Sequence, residues 1–90
     1  AIALNHPDLD RVYYNLGNAY SNKKQFDMAI ENYNKAIVLN PNAADVYYNR
    51  GIIYNRKEQY VRAIEDFNKA IALDPNFVLA YRNRGIIYTK

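Results

Sequence analysis

Three tyrosines, three glycines and two prolines share one spacing in this chain. Tyr13, Tyr47 and Tyr81 lie 34 residues apart, as do Gly17, Gly51 and Gly85, and Pro41 and Pro75. The residues around them repeat as well, with Val12-Tyr13-Tyr14-Asn15 written again as Val46-Tyr47-Tyr48-Asn49. A fixed period of this length means that one supersecondary unit is copied along the chain, each copy too thin to bury its apolar face alone and therefore stacked on the next. No other property of the sequence narrows the fold so far.

The content of one unit follows from its apolar pattern. Between Ala44 and Phe77, Val46, Tyr47, Ile53 and Tyr54 recur at helical spacing, and Tyr60, Ala63, Ile64, Phe67, Ala70 and Ile71 do so again after the polar break Asn55 to Gln59. Asp74-Pro75-Asn76 stops the second helix, because proline has no amide hydrogen and disfavours helix in the residue before it. Short loops force the two helices antiparallel. The pattern predicts an all-α chain with helices over 9–22, 26–39, 44–56, 60–73 and 78–89. Gly51 costs about 1 kcal/mol of helix propensity relative to alanine, which predicts a close helix contact there, with Ala63 against the bare backbone and Tyr47, Tyr54, Tyr60 and Phe67 filled in around it.

The order Tyr47, Gly51, Tyr54, Ala63, Phe67, Ala70, Pro75 resembles the tetratricopeptide repeat, whose pattern runs W-x2-L-G-x2-Y, then A-x3-F, then A and P. The preceding unit places Tyr13, Gly17, Tyr20, Phe26, Ala29, Tyr33, Ala36 and Pro41 in the same roles. The resemblance implies antiparallel helix-turn-helix repeats stacked as a right-handed superhelical α-solenoid fragment. Its units would be 10–43 and 44–77, flanked by 1–9, the tail of a preceding second helix, and by 78–90, the first helix of a truncated third unit. Ala1 to Asn5 does repeat Ala36 to Asn40, with one extra residue near His6. A start in mid-pattern without an initiator methionine fits a segment cut from a longer array.

Two departures from the pattern stand out. Tyrosine replaces the first tryptophan, and Arg50 and Arg84 replace the leucine that Leu16 keeps. Where the first unit has Leu16 with Asn32, the second has Arg50 with Asp66, so a cation and a carboxylate appear together. Asp66 is expected to pair with Arg50 or, across the repeat junction, with Arg84.

Composition closes off several function classes. Half of the 90 residues are apolar and 23% are charged, a globular balance, and no apolar run approaches the length of a membrane helix, so the chain reads as soluble, with no membrane partner and a cytoplasmic setting compatible with it. There is no cysteine, and the twelve basic residues behind the net charge of +3 are spread along the chain. Besides tyrosine the only hydroxyl residues are Ser21 and Thr89, the single His6 is distant from both, and neither metal-ligand spacing nor a phosphate loop is present. The reading is non-catalytic, without cofactor or metal.

The resemblance places the binding surface on the concave side lined by the first helices. Carried over by position, it consists of Arg11, Tyr14, Asn15, Asn18 and Asn22, then Asp45, Tyr48, Asn49, Ile52, Asn55 and Arg56, then Leu79, Arg82, Asn83, Ile86 and Lys90. Tyr14, Asn15, Asn18, Tyr48, Asn49, Ile52, Arg56, Arg82 and Asn83 are the candidate peptide-binding residues. Asn15, Asn49 and Asn83 recur once per unit, and a carboxamide both donates to and accepts from a peptide unit, an arrangement similar to the asparagine ladder in the repeat region of O-GlcNAc transferase. Asparagine is also simply usual at this family position. Family members that clamp a chaperone's C-terminal carboxylate use three cations here; this chain has Tyr14, Asn18, Asn49, Leu79 and Asn83 at the five clamp positions, so that subtype is not expected.

The expected function is a scaffold that binds a peptide or protein segment. One alternative is self-association through open repeat ends, head to tail or by helix exchange. A weaker alternative is RNA binding: ten tyrosines and twelve basic residues are available, but Tyr13, Tyr20, Tyr47 and Tyr54 occupy packing positions.

Overall fold

The computed structural model describes residues 8–89, and the expected N-terminal stub with His6, together with Lys90, lies outside them. Five helices follow one another, α1 (Leu9–Asn22), α2 (Phe26–Leu39), α3 (Ala44–Arg56), α4 (Tyr60–Leu73) and α5 (Val78–Tyr88), and there is no strand among the described residues. Four of the expected helices have the observed bounds, and α5 ends one residue early. None of them is long and apolar enough to cross a membrane.

The connections explain the regularity. Each hairpin turns through three residues, and its middle residue, Lys24 or Glu58, takes a positive φ of 61° or 62°. The amides after the helix fold back on it, Gln25 N to Tyr20 O at 2.9 Å and Gln59 N to Tyr54 O at 2.8 Å, which satisfies carbonyls left open by the last turn. Between hairpins, Asn40 and Asp74 each accept a bond from the amide two residues on, bracketing Pro41 and Pro75 in a side-chain-closed turn. Tyr47 then donates its hydroxyl to Pro41 O at 3.1 Å and ties the second unit to the turn that introduces it.

Two cores follow one another along the stack, each built on a second helix. Ala29, Tyr33 and Ala36 of α2 are fully buried with Val46 and Ile53 of α3, while Ala63, Phe67 and Ala70 of α4 are buried with Tyr47 and with Ala80 and Ile87 of α5. The second helix of each unit is thus the filling between two first helices, which is why the stack extends to 51 × 29 × 16 Å instead of closing on itself.

The glycine contact differs from expectation in its partner. A Cβ at Gly51 would lie 2.8 Å from Phe67 Cε1 and 3.2 Å from Asp66 Cβ, and one at Gly17 would lie 2.5 Å from Tyr33 Cε1. The aromatic ring one turn after the expected alanine occupies the gap left by the missing side chain; Ala63 is buried but is not among the atoms nearest it. At Gly85 the same space is open, with nothing within 4 Å.

Asp66 pairs with Arg50, in its own hairpin. Arg50 donates Nε to Asp66 Oδ2 at 2.9 Å and Nη2 to Oδ1 at 2.7 Å, and its Nη1 reaches back to Asn34 Oδ1 at 2.7 Å. Among the described residues Arg84 makes only the backward hydrogen bond, Nη1 to Asn68 Oδ1 at 2.7 Å. Burial pushes the Asp66 carboxyl up from its ordinary value although Arg50 pulls it down, the balance of a carboxylate 5% exposed whose one close cation must offset its lost hydration.

Candidate functional site

The first helices form one continuous face, α1 touching α3 and α3 touching α5. Two kinds of bond register them. Arg11 on α1 holds Asp45 on α3 through both carboxylate oxygens, at 2.8 and 3.2 Å, and lies 4.6 Å over the Tyr14 ring. Asn49 Nδ2 donates to the Tyr14 hydroxyl at 2.6 Å, and Asn83 Nδ2 donates to the Tyr48 hydroxyl at 2.9 Å. The second pairing occurs at both junctions because both members belong to the repeated phrase.

These bonds change the expected asparagine ladder. The Nδ2 groups of Asn49 and Asn83 are turned into the stack, Asn83 also donating to Leu79 O at 2.8 Å, while among the described residues neither Oδ1 receives a bond. The uncommitted group at these two positions is therefore an acceptor. Asn15 is exposed and has no hydrogen bond among the described residues, so its amide keeps both functions.

Tyr14 and Tyr48 are walls of the face more than probes into it. Both are half-buried, Tyr14 with its ring centroid 6.1 Å from that of Tyr33, Tyr48 5.8 Å from Phe67 and 4.8 Å from Phe77. Burial pushes the Tyr48 hydroxyl up from its ordinary value, opposed by the Asn83 hydrogen bond and the charge of Arg82. Asn18 is likewise committed, accepting from the Tyr33 hydroxyl at 2.5 Å and from Asn49 at 3.5 Å. Ile52 is half-buried, and Asn55 has its Oδ1 shut away without a hydrogen-bond partner among the described residues. Arg56 and Arg82 are exposed and have no carboxylate partner among the described residues. Leu79 and Ile86 add apolar surface on α5, 50% and 47% exposed.

Electrostatically the face divides in two. Near α1 the Asp45 carboxylate and Arg11 cancel each other, and Arg11 is further held by Asp10 at 3.3 Å, so its guanidinium is raised well above its ordinary value and stays charged. Toward α5, Arg82 faces no such neutralisation, which makes that half cationic.

Reading the sequence by position missed these partnerships. Arg11 and Asp45 are both placed on that surface by position but not joined, although they sit at equivalent positions of adjacent units, which is the signal that joins them. The Tyr14 to Asn49 link had a similar signal, since the pair is offset by one repeat and one residue.

The comparisons with known proteins agree with this architecture. The family model for the tetratricopeptide repeat matches residues 11–43 and 44–77. Among solved structures, that of MamA superposes with a TM-score of 0.88 at 35% identity over 89% of this chain, which spans 47%, about half, of the MamA chain. The Arabidopsis OM64 domain of the same repeat type gives 0.86 at 32% identity over 89% of this chain and 66% of its own. The first such domain of Spaghetti (RPAP3), solved with the HSP90 peptide SRMEEVD, gives 0.84 at 31% identity over 87% of this chain and 62% of its own. No curated protein sequence matches the chain.

Proposed function

The chain belongs to the tetratricopeptide repeat family, and from that premise we propose that it is a non-catalytic scaffold that holds a polypeptide segment along the face of α1, α3 and α5. The observation that carries this reading is the division of labour on that face. Asn49 and Asn83 donate, the Tyr14 and Tyr48 hydroxyls and Asn18 Oδ1 accept, and the two tyrosine rings pack, so these five residues fix the helices against one another and leave for a ligand Asn15, the Oδ1 atoms of Asn49 and Asn83, Arg56, Arg82 and the half-exposed Leu79 and Ile86. A preorganised surface loses little entropy on binding.

The outward groups define the ligand. Backbone N–H groups of an extended segment meet the Oδ1 row, an apolar side chain covers Leu79 and Ile86, and an acidic side chain meets Arg82. A terminal carboxylate clamp is not part of the reading, since Tyr14, Leu79 and Asn83 stand where three cations would be needed.

Panning a random peptide library against the chain, then measuring selected peptides by fluorescence anisotropy, tests the proposal. Arg82→Glu and Asn15→Ala should each weaken the selected peptides, the first by about tenfold or more for acidic sequences. SRMEEVD should bind at least about tenfold more weakly than they do. Peptides indifferent to both substitutions, or a folded chain that selects none, would overturn it.

A further inference from the structure

The two tyrosine–asparagine bonds that register the first helices each leave one proton unspent. A second contact of the asparagine fixes the direction of both bonds. Asn83 Nδ2 also donates to Leu79 O at 2.8 Å, and Asn49 Nδ2 to Asn18 Oδ1 at 3.5 Å, an oxygen that already accepts from the Tyr33 hydroxyl. A carbonyl oxygen only accepts, so each asparagine turns its NH2 group inward and is the donor to its tyrosine, Asn49 to Tyr14 at 2.6 Å and Asn83 to Tyr48 at 2.9 Å. A phenol that accepts still has its own proton to give. Among the described residues neither Tyr14 nor Tyr48 gives it to an acceptor.

The matching acceptor sits in the same pair. Asn55 Oδ1 is the one buried side-chain oxygen without a partner among the described residues, so the Oδ1 atoms of Asn49 and Asn83, which also lack partners, are open to solvent. Each junction between first helices thus offers one O–H donor and one C=O acceptor. A carboxylate has only acceptors, and an ammonium or guanidinium only donors, whereas a primary carboxamide carries C=O and N–H on one edge and satisfies both. Spacing favours a side chain over the backbone. A β-strand presents a same-sided N–H and C=O at every second residue, about 6.6–6.8 Å. Neighbouring helices lie about 8–10 Å apart, and α1 touches α3 as α3 touches α5. Three residues of a polyproline-II-like segment span about 9 Å and bring every third side chain to the same side.

The charge beside the two pairs differs. At the first, Arg11 lies over the Tyr14 ring but is committed to Asp45 and Asp10, so a carboxylate arriving there finds Asn49 Oδ1 and two carboxylates and no free cation. At the second, Arg82 is exposed, has no carboxylate partner among the described residues, and acts by its charge on the Tyr48 hydroxyl. We infer, resting on the reading of this face as the seat of a polypeptide segment, that the Tyr14–Asn49 pair is a subsite for a glutamine or asparagine side chain, and that the Tyr48–Asn83 pair with Arg82 takes a carboxamide or carboxylate three residues away. The bound carboxamide accepts the tyrosine proton and donates an N–H to the asparagine Oδ1. That oxygen has two lone pairs, so the backbone contact proposed for it remains available. The ligand class is a segment with Gln-x-x-Glu spacing, in one chain direction or the other.

Fluorescein-labelled peptides with Gln-Ala-Ala-Glu or Glu-Ala-Ala-Gln at the centre of an alanine–serine host are titrated with the full chain by anisotropy, beside versions with the glutamine replaced by glutamate or leucine. One of the two orders should bind, and in it either replacement should weaken binding by about tenfold or more. Tyr14→Phe, whose helices are checked by circular dichroism, should bring the glutamine and leucine peptides to within about twofold of each other. The peptide replacements need no change in the protein, so they decide the matter even if that variant fails to fold. Peptides that lose affinity with Arg82→Glu but bind equally well with glutamine, glutamate or leucine would overturn this inference and leave the polypeptide-binding reading standing. So would a glutamine preference that survives Tyr14→Phe, or no binding of either order by a chain that does bind library-selected peptides. A folded chain that binds neither these nor any library peptide would overturn both.

Discussion

The α1–α2 and α3–α4 hairpins share turn geometry and a glycine under an aromatic ring, and their first helices differ by one residue in length, yet one is held by amides and a phenol and the other by a buried ion pair and a phenyl. Asn32 is 6% exposed and Asp66 5%, so both solutions are buried to the same degree. The comparison separates what the backbone of the repeat demands from what its side chains only have to agree on. The ring on the glycine is demanded; the chemistry beside it is negotiable, provided that both helices change together. A repeat protein can thereby give each junction its own pairing rule without altering its shape.

The largest effect should come from breaking one side of that agreement. Arg50→Leu leaves Asp66 buried without its cation and should cost about 3–5 kcal/mol by urea denaturation, whereas Arg50→Leu/Asp66→Asn, which writes the first hairpin's pair into the second, should lie within about 1 kcal/mol of the parent. A double variant as damaged as the single one would mean that the hairpins are not alternatives to each other.

Next in size are the glycines, where the comparison extends to the open helix. Gly51→Ala and Gly17→Ala push a Cβ to within 2.8 Å of Phe67 and 2.5 Å of Tyr33, and each should lose about 1–3 kcal/mol. Gly85→Ala meets nothing and should gain up to about 1 kcal/mol from helix propensity. Three identical substitutions at equivalent positions thus differ in sign, and thermal unfolding of all three in one buffer checks it.

The smallest effect appears at high pH. Burial pushes the Tyr33 hydroxyl up from its ordinary value, so above about pH 10 the unfolded chain releases this proton while the folded chain keeps it, and stability falls as pH rises. Stability of the parent between pH 9.5 and 11 should therefore fall more steeply than that of Tyr33→Phe/Asn18→Ile, which installs the second hairpin's pair, by up to about 1.4 kcal/mol per pH unit. Parallel slopes would assign the titration to other tyrosines.

The period, the helix bounds and the pairing of Asp66 with one of two arginines were legible in the sequence because each is carried by a regular spacing or by a joint departure from it, while the choice of Arg50 over Arg84 came from the structure. The partner of Gly51 was not. Alanine and phenylalanine both sit on the buried stripe of α4, and spacing alone does not say which of two residues one turn apart lies over a gap. Which groups on the α1, α3 and α5 face are already committed was not legible, since whether Asn49 Nδ2 turns to Tyr14 depends on the offset between neighbouring helices. The offset emerges only when the stack is built.

The most direct test is to rewrite the first hairpin as the second in halves. The α1 half, Leu16→Arg/Asn18→Ile, and the α2 half, Asn32→Asp/Tyr33→Phe, are compared with the full four-residue change by urea denaturation. Matched pairing predicts that each half is destabilising while the whole is close to the parent, a coupling between the halves of about 2–3 kcal/mol. Halves that add to the whole within about 0.5 kcal/mol would show that the two helices do not read each other, and the account of both hairpins would be wrong.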